Sequence, residues 1–338
     1  MNSSLALNTS LANSSGSVSC DAEPQHVSIT VFISLVFLVG FFLNSFSLWV
    51  FYCNVPNWSS GTVLQFHLAL SDAIGSPATF IMAVNFALGH WPFGKFLCQI
   101  KIALLSTHFY GSTMFLTLIS VHRYVAVVYY NKSSYMKQKG FVSKLCGGVW
   151  VMLLFKSVVY AVCLPPTKEG NTTQCHSIHQ KNLTNIHFTL NFLLFTFGFI
   201  LPFSVSAVCY SRLASVVSSI NVNTGKGLAV KTKSLRMIGI CLVIFGLCFL
   251  PLNIARTAAV VIKKYYSTEC RTLLRVETGY YVCVILAGVN CCLDPLLYIF
   301  GSQSFAKAFK NSLKIRSKHK GEAKREFDGL GLSGTDAF

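Results

Sequence analysis

The sequence predicts an all-α membrane protein: a bundle of seven transmembrane helices followed by a short amphipathic eighth helix. Three observations predict it. The composition is 53% hydrophobic and 12% charged, too apolar for an ordinary soluble domain. Seven apolar stretches fill the chain from about Val31 to Phe300, each reaching the roughly 20 residues that a hydrocarbon core demands of a helix. The basic residues gather in alternate loops, the asymmetry that orients membrane proteins.

Residues 1–27 are polar, rich in Asn and Ser, and carry neither a basic start nor an early apolar run, so no cleaved signal peptide is expected. The first span is then its own insertion signal. A transmembrane domain over 28–300 follows, with spans at 28–53, 61–87, 96–129, 142–164, 187–214, 233–262 and 275–300. Asn2, Asn8 and Asn13 head glycosylation triplets before the first span, and Asn171 and Asn182 head two more between spans four and five, which assigns both regions to the extracellular side if they are used. Asn57 and Asn131 head triplets in loops of the opposite side. An odd number of spans then leaves the tail cytoplasmic, with Lys307, Lys310, Lys314, Arg316, Lys318, Lys320, Lys324 and Arg325. Lys132, Lys137, Lys139 and Lys144 precede span four, and Lys226, Lys231, Lys233 and Arg236 accompany span six. The formal charge of +17 is accordingly a cytoplasmic face set against anionic membrane lipids, not a nucleic-acid footprint. The expected location is the plasma membrane, multi-pass, with the amino terminus extracellular. Over 301–315, Phe305, Ala308, Phe309 and Leu313 share one side, as in a helix lying on the inner leaflet. The tail 316–338 reads as disordered, with Ser333 and Thr335 as kinase sites and no cysteine to carry a palmitoyl anchor.

Thirteen cysteines divide by depth. Nine lie in spans as small apolar packing residues. Cys20, Cys98, Cys175 and Cys270 fall at the oxidising outer side, where four cysteines allow three pairings.

Polar groups at membrane depth carry most of the functional information, because each is costly unless paired or facing a cavity. Asn44, Asp72, Ser112, Asn290 and Asp294 are such groups. Asp72, Ser112, Asn290 and Asp294 supply hard oxygen ligands suited to a sodium ion; the alternative is an interhelical hydrogen-bond network without an ion. No cofactor other than such an allosteric ion is expected, and no catalytic constellation is present, so the chain is not read as an enzyme. Span three ends in Ser120-Val121-His122-Arg123-Tyr124, Trp150 lies in span four, and Pro202 precedes Tyr210 in span five. Phe245 and Cys248-Phe249-Leu250-Pro251 mark span six; Asp294-Pro295-Leu296-Leu297-Tyr298 closes span seven. Each proline removes a backbone hydrogen bond, so Pro202, Pro251 and Pro295 are pivots.

In this order these marks resemble a rhodopsin-like (class A) G protein-coupled receptor over about residues 28–315. The resemblance implies a Cys98–Cys175 disulfide, an Arg123 that holds the cytoplasmic end closed with Tyr124 beside it, and Tyr210 and Tyr298 that swing inward on activation. Phe249, above Phe245, is implied as the switch beneath the ligand, and the implied partners are a heterotrimeric G protein, arrestin and receptor kinases. Departures are His122 in the usual acidic place, Asp294 for Asn, His67 for Asn and Tyr130 for Pro; the first is expected to loosen the resting state. Local runs such as His90-Trp91-Pro92-Phe93-Gly94 and Asn290-Cys291-Cys292-Leu293-Asp294-Pro295 resemble the branch of purinergic nucleotide and lysophospholipid receptors, in which a second disulfide would join Cys20 to Cys270.

Lys101 lies a turn beyond Cys98, Arg256 roughly 7 Å outward of Pro251 and Lys156 about 9 Å outward of Trp150. Lys263, Lys264, Arg271 and Arg275 add positive charge at the rim against Glu269 and Glu277. Such a constellation suits an extracellular anionic ligand, with Lys101 and Arg256 as the clamp; the alternative is that both snorkel and bind nothing. Nucleotide receptors usually carry basic groups where this chain has Val284 and Asn253. Leu105, Phe109 and Phe249 could line an acyl pocket. A lysophospholipid-like lipid is therefore the first reading, and a nucleotide or small carboxylate the second. A seven-helix transporter or channel would need an internal repeat or a continuous polar path, and neither is visible.

Overall fold

A computed structural model describes residues 27–88, 91–129, 133–163, 167–169, 172–175, 184–219, 225–266 and 269–313. Asn2, Asn8, Asn13, Cys20, Tyr130, Asn131, Asn171, Asn182, Ser333 and Thr335 lie outside the described residues. Seven helical spans are long and apolar enough to cross a membrane: Val27–Asn54, Ser60–Asn85, Gly94–Val128, Lys139–Cys163, Asn185–Ser218, Lys231–Tyr265 and Cys270–Gly301.

The first is a single helix, α1 (Val27–Asn54), packed on the second and seventh spans. The second span, expected as one helix over 61–87, is two: α2 (Ser60–Gly75) and α3 (Ala78–Leu88). Pro77, which carries no mark in the sequence pattern, has no N–H to continue the ladder and its ring crowds the preceding turn. The Ser76 hydroxyl donates to the carbonyl of Asp72 at 2.7 Å, and Thr79 to that of Ser76 at 2.7 Å, so side chains brace the backbone on both sides of the break. α4 (Gly94–Val128) runs through the centre against α2, α5 (Lys139–Cys163) and α7 (Leu201–Ser218). α6 (Thr184–Phe195) leads into α7; α8 (Gly225–Val243) leads into α9 (Leu250–Tyr265), and α10 (Cys270–Gly301) forms the seventh span.

Two prolines act at a distance from their own positions. Ahead of Pro202 the helix widens into a π turn over Thr196–Ile200, where the N–H of Leu201 reaches Thr196, five residues back. Ahead of Pro251 a second π segment covers Ile244–Phe249, and the N–H of Leu250 reaches Phe245. A π segment of this kind is a place where a helix bends.

One feature is not helical. Between spans four and five, β1 (Thr167–Glu169) pairs antiparallel with β2 (Thr172–Gln174), Thr167 opposite Gln174 and Glu169 opposite Thr172. After α10 a last helix, α11, covers 303–313. Its ring Phe305 lies 4.3 Å from Phe51 of α1, and Asn54 donates to Ser312 at 2.6 Å. The amphipathic expectation is corrected at one position: Ser312 is buried, whereas Leu313 is exposed.

The interior is aromatic and aliphatic, with Phe37, Phe51, Phe115, Phe199, Phe245, Phe249 and Tyr298 fully buried. The residues that face outward are equally apolar: Val151, Leu154, Phe155, Val158 and Val162 of α5 are all exposed. An exterior of that kind suits lipid, not water. Polar groups staple the helices, as expected where no water competes. Asn44 donates to the carbonyl of Cys291 at 2.7 Å, and the indole N–H of Trp150 to Nδ1 of His67 at 3.1 Å.

Candidate functional site

At one end of the bundle the Cys98–Cys175 disulfide ties the start of α4 to the residue after β2. Cys270, at the start of α10, is also disulfide-bonded; Cys20, the partner that the family resemblance names, lies outside the described residues. Lys101 is buried one turn along from Cys98, donates to the carbonyl of Cys175 at 3.4 Å, and stands 4.7 Å over the ring of Trp91. It is thus engaged with the disulfide loop and is not brought to Arg256.

The cations that converge are Arg256 and Lys156, and they do so on Tyr110, a residue that sequence reasoning does not select. Arg256 donates to the phenol oxygen of Tyr110 and lies 5.4 Å from its ring centre. Lys156 stands 3.9 Å over the same ring, 5.1 Å over Tyr160, and donates to Ser106. Gly198, inside the π turn of span five, makes this possible: a Cβ there would come within 2.6 Å of the Tyr110 ring. Neither cation has a carboxylate partner among the described residues. The Arg256 Nε is buried without any partner. Two uncompensated positive charges in a low-dielectric interior are unfavourable, and the face of a ring offers only partial compensation. The site therefore favours an anion. A signal for Tyr110 was present, since a phenol at membrane depth needs a polar partner.

Below this pair a narrow cavity of about 30 Å³, near the volume of one water, is lined by Phe109, Tyr110, Phe249, Leu252, Asn253, Arg256 and Tyr280 among others. Asn253 accepts from Arg256 at 3.5 Å and donates to the carbonyl of Phe249 at 2.9 Å. A polar chain thus runs from the cation to the π segment ahead of Pro251. Phe249 meets Phe245 at 6.2 Å, which meets Phe203 at 5.9 Å. Leu105 packs against the same core but does not line the cavity.

At mid-depth Ser112 donates to Asp72 Oδ1 at 2.6 Å, and Asn290 to Asp294 Oδ2 at 3.2 Å. Asp72 Oδ2, Asn290 Oδ1 and Asp294 Oδ1 are buried with no other donor reaching them, and the Asp72 and Asp294 carboxyl groups face each other within hydrogen-bond reach. His108 adds Nε2 at 3.8 Å from Asp72. Three orphaned oxygens from two facing helices, plus a hydroxyl, form a donor set of the kind hard cations take.

At the opposite end Arg123 donates to the carbonyl of Gly301, the last residue of α10. Carbonyls of a helix's final turn lack intrahelical partners and carry its negative dipole end, so this carbonyl stands in for the absent carboxylate. His122 turns away to pair with Ser60 of α2 at 2.9 Å. Tyr210 is buried beside Ser120, Cys241 and Arg123. Tyr298 donates to Asn44 at 3.1 Å, and Tyr124 to Tyr129 at 3.4 Å.

A shielded cationic site at one end, a bent and polar-linked core, and a restrained arginine at the other describe a seven-helix membrane receptor. Residues 43–298 match the family described as 7 transmembrane receptor (rhodopsin family), and the chain belongs to that family. It is 32% identical over 290 residues to purinoceptor 2 of Homo sapiens, spanning 84% of this chain and 75% of that relative. It is 31% identical to purinoceptor 4 of Rattus norvegicus (86% and 81% covered) and 30% identical to Lysophosphatidic acid receptor 4 of Mus musculus (84% and 76%). Family membership makes the protein a multi-pass plasma-membrane receptor that couples to G proteins and answers an extracellular ligand. The family is one of receptors, not of enzymes or transporters.

Proposed function

We propose that this receptor is activated by an extracellular anionic lipid of the lysophospholipid type, with the phosphate held between Arg256 and Lys156. The observation that carries this reading is the pair of cations on Tyr110 with no carboxylate partner among the described residues. A phosphate monoester carries about −1.5 to −2 charges at neutral pH, which matches two cations. A triphosphate would call for more, and the outer half of α10 offers buried Val284 where a further cation would be useful. The wall of Phe109, Phe249 and Leu252 is aromatic and aliphatic and suits an alkyl chain once the helices part, since the present cavity of about 30 Å³ admits no more than a water. Similarity to purinoceptor 2 of Homo sapiens favours a nucleotide as the second reading.

Entry of the phosphate replaces the Tyr110 phenol as the partner of Arg256. The movement passes through Asn253 to the Phe249 carbonyl and so to the bend ahead of Pro251. Outward movement of α8 then separates the far ends and frees Arg123. In this reading the amino-terminal segment, carrying Asn2, Asn8 and Asn13, and the loop carrying Asn171 and Asn182 are extracellular and glycosylated, and the Arg123 end is cytoplasmic. Arrestin and receptor kinases act there after the G protein. The orphaned oxygens of Asp72, Asn290 and Asp294, with Ser112, would hold a sodium ion that favours the resting state.

The test is a panel of lysophosphatidic acid, uridine triphosphate and succinate on cells expressing the chain, read by G protein activation. A lipid response that Arg256→Ala weakens supports the proposal. A response to the nucleotide alone selects the second reading.

A further inference from the structure

At the Arg123 end a cavity of about 420 Å³ opens between α8, the end of α10 and α11, lined by Leu228, Thr232, Lys233, Arg236, Phe300 and Gln303 among others. Its volume lies within the roughly 300–1,000 Å³ of small-molecule pockets. Its polar lining is cationic. Arg236 lies 5.5 Å from the Phe300 ring and has no other polar or ionic partner among the described residues, and Lys233 stands within electrostatic reach of Arg123. Residues 52–62, 129–144, 211–238 and 301–320 contain no Asp or Glu, so among the described residues no carboxylate opposes them; the acidic residues next along the chain, from Glu322, lie outside the described residues. On α11, Gln303 and Ala306 line the cavity, and Lys307 and Lys310 continue their stripe at helical spacing. Leu228 and the neighbouring Leu235 are exposed, giving the mouth an apolar rim at membrane level.

We propose that this cavity binds the phosphorylated headgroup of an inner-leaflet phospholipid of the phosphoinositide class, with Lys233 and Arg236 on the phosphates and the acyl chains along Leu228 and Leu235. Cations between transmembrane helices at the cytoplasmic surface are a setting for such headgroups, and phosphate is a natural counter-ion where no carboxylate exists. The lipid bridges α8 to α10 and α11, the pair of elements that separate when α8 moves. The proposal rests on the orientation given under Proposed function. Nanodiscs expose both faces to the same lipid, so the binding test does not depend on orientation, which protease accessibility of a tail epitope on intact cells checks separately.

Full-length receptor in phosphatidylcholine nanodiscs is titrated with a fluorescent phosphatidylinositol bisphosphate. The double variant Lys233→Gln/Arg236→Gln should lose about 10- to 30-fold in affinity, two cations at roughly tenfold or less each. Lys139→Gln/Lys144→Gln, an equal charge loss on α5 away from the cavity, should change little, and Lys233→Arg/Arg236→Lys should retain most of the binding. Should the first double variant fail to fold, Arg236→Gln alone serves, with thermal stability as its control. Equal losses in both Gln double variants would mean diffuse surface attraction and overturn the proposal. Soluble inositol trisphosphate binding as tightly as the lipid would make this a free-phosphate site. Intact lipid binding with lost G protein affinity would assign the cavity to the G protein instead.

Discussion

Arg256 and Arg123 are both guanidinium groups inside the bundle without a carboxylate partner among the described residues, and they are held in different ways. Arg256 rests on side chains: the phenol of Tyr110 and the amide of Asn253. Arg123 rests on the backbone, the terminal carbonyl of α10. A phenol can rotate away and surrender its partner to an incoming phosphate without disturbing a helix. A helix-end carbonyl leaves only when the helix itself moves. In the proposed mechanism the same ion is an exchangeable ligand contact at one end and a conformational latch at the other.

The largest effect should come from the latch. Arg123→Ala is expected to abolish agonist-driven nucleotide exchange on the G protein while leaving ligand affinity and surface expression intact. Unchanged exchange would break the assignment. Next comes the exchangeable contact. Arg256→Ala or Lys156→Ala should weaken agonist potency by roughly 10- to 150-fold, the range for hydrogen bonds to charged groups. Lys101→Ala should change it by about threefold or less, because Lys101 serves the disulfide loop by one long bond. Equal losses at Lys101 and Arg256 would restore the clamp that the sequence alone predicts.

Smaller effects sharpen the comparison. Tyr110→Phe keeps the ring under Lys156 and removes the oxygen that Arg256 grips. Measured at matched receptor density, potency should rise by about 2- to 12-fold, since the ligand no longer has to displace that oxygen. On the latch, a Cβ at Gly301 would crowd the side chains of Gln65 and Arg123. Gly301→Ala should therefore raise ligand-free exchange by about 2- to 12-fold, and His122→Asp, by supplying a carboxylate beside Arg123, should lower it. Lowered exchange in Gly301→Ala together with raised exchange in His122→Asp would mean that the carbonyl contact does not restrain the resting state. The smallest expected effect is ionic: raising sodium should lower agonist affinity, and Asp72→Asn should remove that dependence.

Much of this was legible in the chain. Seven apolar stretches, the order of Arg123, Trp150, Pro202, Pro251 and Pro295, and a carboxylate at Asp72 were enough for the fold class and the family resemblance. Other features were hidden because they depend on which side chains face each other across helices distant in sequence. Tyr110 and Arg256 are 146 positions apart, and no local pattern reports that they meet. By sequence Lys101 and Arg256 form the clamp and Lys156 is only a third basic residue in span four, yet their helices rotate Lys101 to the disulfide loop and Lys156 onto Tyr110. Of the scattered histidines, His67 and His122 proved to be partners of Trp150 and Ser60, while His108 lies 3.8 Å from Asp72 with neither ring nitrogen hydrogen-bonded.

The sequence by itself determined that the chain crosses the membrane seven times and that prolines interrupt its fifth and sixth spans; the break at Pro77 in span two carried no mark, and α10 runs unbroken through the expected pivot Pro295. Hydrophobic length and the missing proline N–H are local properties that lipid makes decisive. Only the tertiary structure decided which cations converge, that a π turn at Gly198 lets Tyr110 stand between them, and that the carbonyl of Gly301 replaces an absent carboxylate. Those outcomes follow from helix rotation and packing, and in a medium without water an unpaired charge must settle on whatever dipole the neighbouring helix presents.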